Sequence, residues 1–142
     1  MMNQRSNRRD FLKKGSLAGF GMLLSGSSLV QAGKAPSEKL NIGCVGTQNR
    51  ASSNIGGVRG QNIVAICDVD QNYLNRRGGD FPKANKYNDY RKLVDQKDIE
   101  AIVVSTPDHM HAPATGAALR SGRHAYCEKP LTHTVHEARV IA

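Results

Sequence analysis

The chain has 142 residues, 39% apolar and 23% charged, a length and balance that suit one globular domain with its own core and exclude wholesale disorder. Its net charge of +8 divides evenly: Arg5, Arg8, Arg9, Lys13 and Lys14 face only Asp10 in residues 1–33, and the rest holds 15 basic against 11 acidic side chains. No basic stripe results, which argues against a nucleic-acid partner.

Residues 5–32 have the three parts of an export signal. Arg5 to Lys14 is basic, Leu17 to Val30 is mildly apolar, and Val30-Gln31-Ala32 stands where a signal peptidase would cleave. Arg8-Arg9-Asp10-Phe11-Leu12-Lys13 resembles the twin-arginine motif S-R-R-x-F-L-K, with Asn7 departing at its first position. Gly19, Gly21 and Gly26 dilute the apolar run, which suits that route. The run is shorter than the roughly 20 residues a bilayer span needs. The expectation is a twin-arginine signal peptide over 1–33, a twin-arginine translocase as partner and a periplasmic or otherwise exported location. An uncleaved anchor or a short amphipathic helix is the alternative.

A linker at 34–38 contains Pro36, Ser37 and Glu38. Leu40 to Gly46 then reads as a buried parallel strand, a short apolar run closed by glycine. Ala51 to Val58 reads as a helix weakened by Gly56 and Gly57, and Asn62 to Cys67 as a second buried strand ended by Asp68. Residues 70–77 form a short helix, 78–86 a loop, and Lys86-Tyr87 a brief edge strand. Asp89 is a good N-cap for a helix through Leu93 and Val94. Ala101 to Ser105 is a strand stopped at Thr106-Pro107, because proline cannot continue a central strand. A helix follows from Pro113 through Leu119 and ends by Gly122. His124 to Cys127 is a strand, Glu128-Lys129-Pro130 a loop, and Thr134-x-x-Glu137 a capping box that opens a last helix.

Strand–helix alternation at this spacing predicts an α/β fold: a doubly wound parallel sheet in a three-layer α/β/α arrangement. Ligands on such sheets bind beyond the carboxyl ends of the strands. That rule selects four places: Gly46–Ala51, Asp68, Ser105–His111 and Glu128–Pro130. The cysteines, Cys44, Cys67 and Cys127, are odd in number and show no C-x-x-C spacing, so they read as buried thiols rather than a disulfide framework or a zinc site.

A helix that opens just after a glycine-ended strand offers unpaired N–H groups and a positive dipole end to an anion. Here Gly46, Thr47, Gln48, Asn49 and Arg50 form that turn, and the acid Asp68 closes the next strand. The dinucleotide fingerprint G-x-G-x-x-G/A expects such an acid roughly 20 residues on, where it accepts the ribose hydroxyls. Gly46 and Ala51 fit the fingerprint; Gln48 stands where a second glycine is usual. Asp68 favours NAD, since its charge repels a 2′-phosphate. Arg76 and Arg77 keep NADP open. The plainer alternatives are an ordinary strand-to-helix turn and Asp68 as the N-cap of residues 70–77.

Leu40-Asn41-Ile42-Gly43-Cys44-Val45-Gly46, Ile66-Cys67-Asp68-Val69-Asp70, Thr106-Pro107-x-x-x-His111 and Gly122-x-His124-x-x-Cys127-Glu128-Lys129-Pro130 occur in that order. Together they are similar to the Gfo/Idh/MocA family, the relatives of glucose–fructose oxidoreductase and inositol dehydrogenase, over residues 39–142. The resemblance implies a Rossmann domain that binds NAD, and hydride transfer between nicotinamide and a carbinol carbon of a sugar or polyol. It also implies a second, substrate-binding domain, which is absent from this chain, and a homo-oligomer when complete. The chain is then the N-terminal part of an enzyme and incapable of turnover alone. Within this resemblance Ser105, Thr106, Pro107, His111, Glu128 and Lys129 join the cofactor site, and Lys129 is also the catalytic group at the reacting oxygen. An NAD-dependent glycosidase of the same family is the alternative activity, and a non-catalytic dinucleotide-binding module is the alternative of another class. His109 and His111 lack a third ligand and predict no metal. His124, His133 and His136 read as structural or exposed.

Overall fold

A computed structural model describes residues 38–142; the expected signal at 1–33 and most of the 34–38 linker lie outside the described residues. The apolar runs and capping residues become eleven elements in chain order. They are β1 (Asn41–Val45), α1 (Arg50–Gly57), β2 (Asn62–Cys67), α2 (Gln71–Asp80), β3 (Asn85–Tyr87), α3 (Tyr90–Asp95), β4 (Ala101–Val104), a 3₁₀ turn (Asp108–Met110), α4 (His111–Arg120), β5 (His124–Cys127) and α5 (Val135–Ile141).

The sheet has the order β3-β2-β1-β4-β5, and every pair is parallel. The chain runs outward from β1 through β2 to β3, then returns to the other side of β1 for β4 and β5. That reversal leaves a crevice between the carboxyl ends of β1 and β4, where such folds bind ligands.

Side chains of a strand alternate between two faces, and here both faces are covered. Val45, Ile102 and Val104 point to one side, with Leu93 and Val94 of α3 and Ala114 and Ala118 of α4. Cys44, Ile66 and Val103 point to the other, with Ile55 of α1 and Leu74 of α2. The three-layer α/β/α arrangement is thus observed. Burial pushes the thiols of Cys44 and Cys67 up to about 12 and raises that of Cys127 as well, which disfavours the thiolate.

Three helices carry side-chain caps, two of them at the residues expected from the sequence, Asp89 and Thr134. Asp70 accepts from the Asn72 and Tyr73 N–H groups, Asp89 from that of Arg91, and Thr134 and Glu137 form a reciprocal capping box. Two boundaries differ from expectation by more than one residue. Helix α2 continues through Gly78 and Gly79 to Asp80 instead of stopping at 77. Gly78 is buried, with the end of the Lys86 side chain lying against it. Helix α4 begins at His111 rather than Pro113. Pro113 still lies in its first turn, where a missing N–H costs no helical bond.

Candidate cofactor-binding site

A cleft of about 810 Å³ opens at the carboxyl edge of the sheet, over the switch point. Of the residues singled out from the sequence, Gly46, Thr47, Gln48, Asn49, Arg50, Asp68, Ser105, Thr106 and Pro107 line it. His111, Glu128 and Lys129 do not.

The turn after β1 is fixed from several sides. Gly46 has φ +92°, and a Cβ there would lie 2.5 Å from the Ser105 carbonyl oxygen. Glycine is required both by this conformation and by the approach of β1 to the end of β4. The second reversal falls on Asn49, at φ 52°, and asparagine tolerates positive φ better than most residues. Gln48 has no positive φ. The backbone at the fingerprint's second position therefore does not itself require glycine; the strained position is the next residue.

Asp68 stands beneath that turn. Its Oδ2 accepts from the Thr47 N–H at 3.0 Å and the Thr47 hydroxyl at 2.7 Å; its Oδ1 accepts from the Asp70 N–H at 3.0 Å. A carboxylate has about four acceptor sites, so it can hold the turn and still accept a further donor from the cleft. It is not the cap of α2; Asp70 is.

Helices α1 and α4, which flank the switch point, have no side-chain cap. Helix α1 also has no acidic residue in its first turn. The Ala51 and Ser52 N–H groups donate to the Gln48 and Asn49 carbonyls at 3.0 and 3.1 Å, so the Arg50 N–H and the positive end of the dipole are what the helix offers to a pyrophosphate. The cleft volume, the bare end of α1 and the spare acceptor capacity of Asp68 fit a dinucleotide.

Arg77, left open as a 2′-phosphate contact, is committed elsewhere. Its Nε and Nη2 donate to the Thr47 carbonyl at 3.2 and 3.1 Å, Nη2 also to the Ser52 hydroxyl, and Nη1 pairs with Asp80 at 2.9 Å. Arg76 is exposed and outside the cleft lining. Neither arginine stands where it would select NADP.

The expectation that His111 lines the cleft is corrected. The ring is 2% exposed, with Nδ1 2.6 Å from the Pro130 carbonyl oxygen and Nε2 2.8 Å from that of Thr106. Both nitrogens are consumed by the protein, and none is left for a cofactor.

Glu128 pairs with Arg50, Oε1 to Nε at 2.7 Å. The guanidinium holds its carboxyl below the ordinary glutamate range, and the pair ties the loop after β5 to the start of α1. Lys129 is exposed, and its ammonium has no ion pair among the described residues.

Several lining residues escaped the sequence reading. Asn88, Asp89, Tyr90 and Arg91 follow β3 and border the cleft beside Asp68, and the Asn88 amide donates to the Asp68 carbonyl at 3.0 Å. The carboxyl-end rule already pointed to this fifth loop, but Lys86-Tyr87 was too short a signal to apply it to. Asn54 of α1 donates to the Ser105 hydroxyl at 2.8 Å, a contact with no local signature.

The sequence model of the Gfo/Idh/MocA oxidoreductase family, NAD-binding Rossmann fold, matches residues 19–142. The chain belongs to this family. A Gfo/Idh/MocA relative named glycosyl hydrolase family 109 protein, from Solibacter usitatus, is 35% identical over 152 residues, covering 94% of this chain and 35% of the relative. Inositol 2-dehydrogenase of Salmonella typhimurium is 29% identical over 72% of the chain and 30% of its own length. Among solved structures, myo-inositol dehydrogenase from Lactobacillus casei in complex with NAD(H) and myo-inositol superposes with a TM-score of 0.67 at 28% identity, covering 72% of this chain and 32% of that one. The chain spans about a third of the length of these relatives. As a Gfo/Idh/MocA domain it is an NAD-binding Rossmann domain.

Asp68→Ala should weaken NAD binding by about 1–2 kcal/mol, the loss of a charge-assisted hydrogen bond, in a calorimetric titration. Thr47→Val, which removes only the hydroxyl contact to Asp68, should have a smaller effect. Equal losses in the two variants would assign Asp68 to the turn alone.

Proposed function

We propose that the complete protein transfers a hydride between NAD and the carbinol carbon of a sugar or polyol, and that residues 39–142 are its cofactor half. The observation that carries this reading is the meeting, at one switch point, of the uncapped end of α1 and the Asp68 carboxylate. Bound NAD supplies the hydride acceptor or donor.

The chain's own residues do the rest. The Gln48, Asn49 and Arg50 amides of the turn take the pyrophosphate and Asp68 takes the adenosine ribose. Ser105, Thr106 and Pro107 form the wall towards the nicotinamide end. Lys129 donates a hydrogen bond to the reacting oxygen and stabilises the negative charge that builds there as the hydroxyl proton passes to solvent, before hydride transfer to NAD leaves a neutral carbonyl. Residues 1–33 act as a twin-arginine signal and place the protein outside the cytoplasm, a role supported by Arg8-Arg9 and the apolar run after them.

A second reading is favoured by a specific observation. The relatives named glycosyl hydrolase family 109 match 92–94% of the chain at 30–35% identity, the inositol dehydrogenases 72% at 29%. An NAD-dependent glycosidase oxidises, eliminates and reduces in turn, so the coenzyme is regenerated within each cycle. Absorbance at the reduced-nicotinamide band separates the two activities. NADH accumulating in step with polyol consumption supports the dehydrogenase. Release of sugar from a glycoside without net NADH replaces it with the glycosidase.

A further inference from the structure

The loops that carry Thr106 and Lys129 leave the sheet from neighbouring strands, and their last shared ladder contact is the Glu128 N–H to the Val104 carbonyl at 2.9 Å. Beyond that point one side chain joins them. His111 lies under both loops, 2.6 Å from the Pro130 carbonyl oxygen and 2.8 Å from that of Thr106. We propose that His111 is a positioning residue for Lys129, a bridge that fixes the loop after β5 against the nicotinamide wall of the cleft. This rests on the reading of Lys129 as the group at the reacting oxygen, and extends it to a residue that touches neither substrate nor cofactor.

Both contacts of the ring go to main chain, so they fix backbone rather than compete for a mobile side chain. Pro130 directly follows Lys129, which places one end of the bridge a single residue from the lysine. The other end is on Thr106, which lines the cleft. The base of the bridge is rigid: His111 is the first residue of α4, and Ala114 and Ala118 of that helix are 1% and 0% exposed in the core. A site is held to sub-ångström tolerance when its supports stand on packed elements of this kind.

Histidine is suited to the task by its shape. Its two nitrogens lie on different edges of one flat ring, whereas asparagine and glutamine offer both donor hydrogens from a single nitrogen. Both partners are carbonyl oxygens, so the tautomer decides which of them the ring donates to, and its other nitrogen stays packed against the second.

The Lys129 loop has a second brace, the Arg50–Glu128 pair on the preceding residue. That brace is weaker, because the Arg50 side chain is 63% exposed and salt or a bound anion competes for it. The buried ring is out of reach of both.

The test is a double-variant cycle on the complete protein, with NAD affinity measured alongside turnover. His111→Gln and His111→Phe should each lower kcat about tenfold or more, with KM for the polyol and the NAD dissociation constant within about threefold of wild type. A residue that merely stabilised the fold would lower the melting temperature and leave kcat per folded molecule unchanged, which would overturn the proposal. In a Lys129→Ala background, His111→Gln should have no further effect on kcat, because the group it positions is gone. Losses that multiply in the double variant would also overturn it. If Lys129→Ala alone retains wild-type turnover, the reading of Lys129 fails and this inference with it, an outcome recognisable from that single variant.

Where the His111 variants do not fold, the wild-type ring is read directly by long-range proton–nitrogen correlation. A ring N–H proton protected from solvent exchange is expected, and a ring exchanging freely with water would refute the bridge.

Discussion

Lys129→Ala in the complete protein should lower kcat by about two to three orders of magnitude, the range for loss of a positioned proton donor or oxyanion contact. The NAD dissociation constant should stay within about threefold, because Lys129 lies outside the cleft that holds the dinucleotide. The contrast follows from how the loop is built. Glu128 is held by Arg50 and by its N–H to Val104, and the Pro130 carbonyl by His111. The residue between them carries an ammonium with no ion pair among the described residues. Both neighbours are tied down, while the charged group is left available to something outside the domain. A surface lysine with no role would give wild-type kcat on removal, and single-turnover and steady-state rates would show it at once. Lys129→Arg keeps the charge but spreads it over a wider planar group, and should recover only part of the rate.

Gly46→Ala should be the most damaging small change in the domain. Alanine at φ +92° is strained in itself, and its Cβ would lie 2.5 Å from the Ser105 oxygen and 2.8 Å from its carbonyl carbon. Neither is a flexible side chain that can swing away. The end of β4 must then separate from β1 at the point where the cleft opens. A loss of about 2–4 kcal/mol in denaturant unfolding is expected, together with loss of measurable NAD binding. The control is Gly56→Ala in α1, where nothing lies within 4 Å of the added carbon. That variant should be neutral or more stable by about 0.5–1 kcal/mol, as expected for a helix interior. Equal tolerance at the two positions would mean that the close approach of the two strands is not a constraint on the site.

The elements were legible because their signals are local. Asn62–Cys67 and His124–Cys127 form strands with the ends that their composition marks, and Asp89 and Thr134 cap the helices they precede. Gly46 and Asp68 were legible for a related reason: strand ends on a parallel sheet converge on one edge, so two short patterns at the right separation define a site. The extent of α2 was not, since Gly78 and Gly79 read as a stop and yet lie within the helix, Gly78 buried in it.

Sequence alone determined the alternation of strand and helix, the glycine turn with its acid, and the family resemblance, since each depends on residue type within a few positions. Tertiary structure decided which side chains meet. Arg77 is 30 residues from the Thr47 carbonyl it clamps, Asn54 is 51 from Ser105, and Arg50 is 78 from Glu128. Such pairings follow from strand order and register, which no pattern inside one segment specifies. The same cause buries His111: its motif places it at the edge of a cleft, but the neighbouring loop, brought alongside by the β4–β5 pairing, closes over its ring.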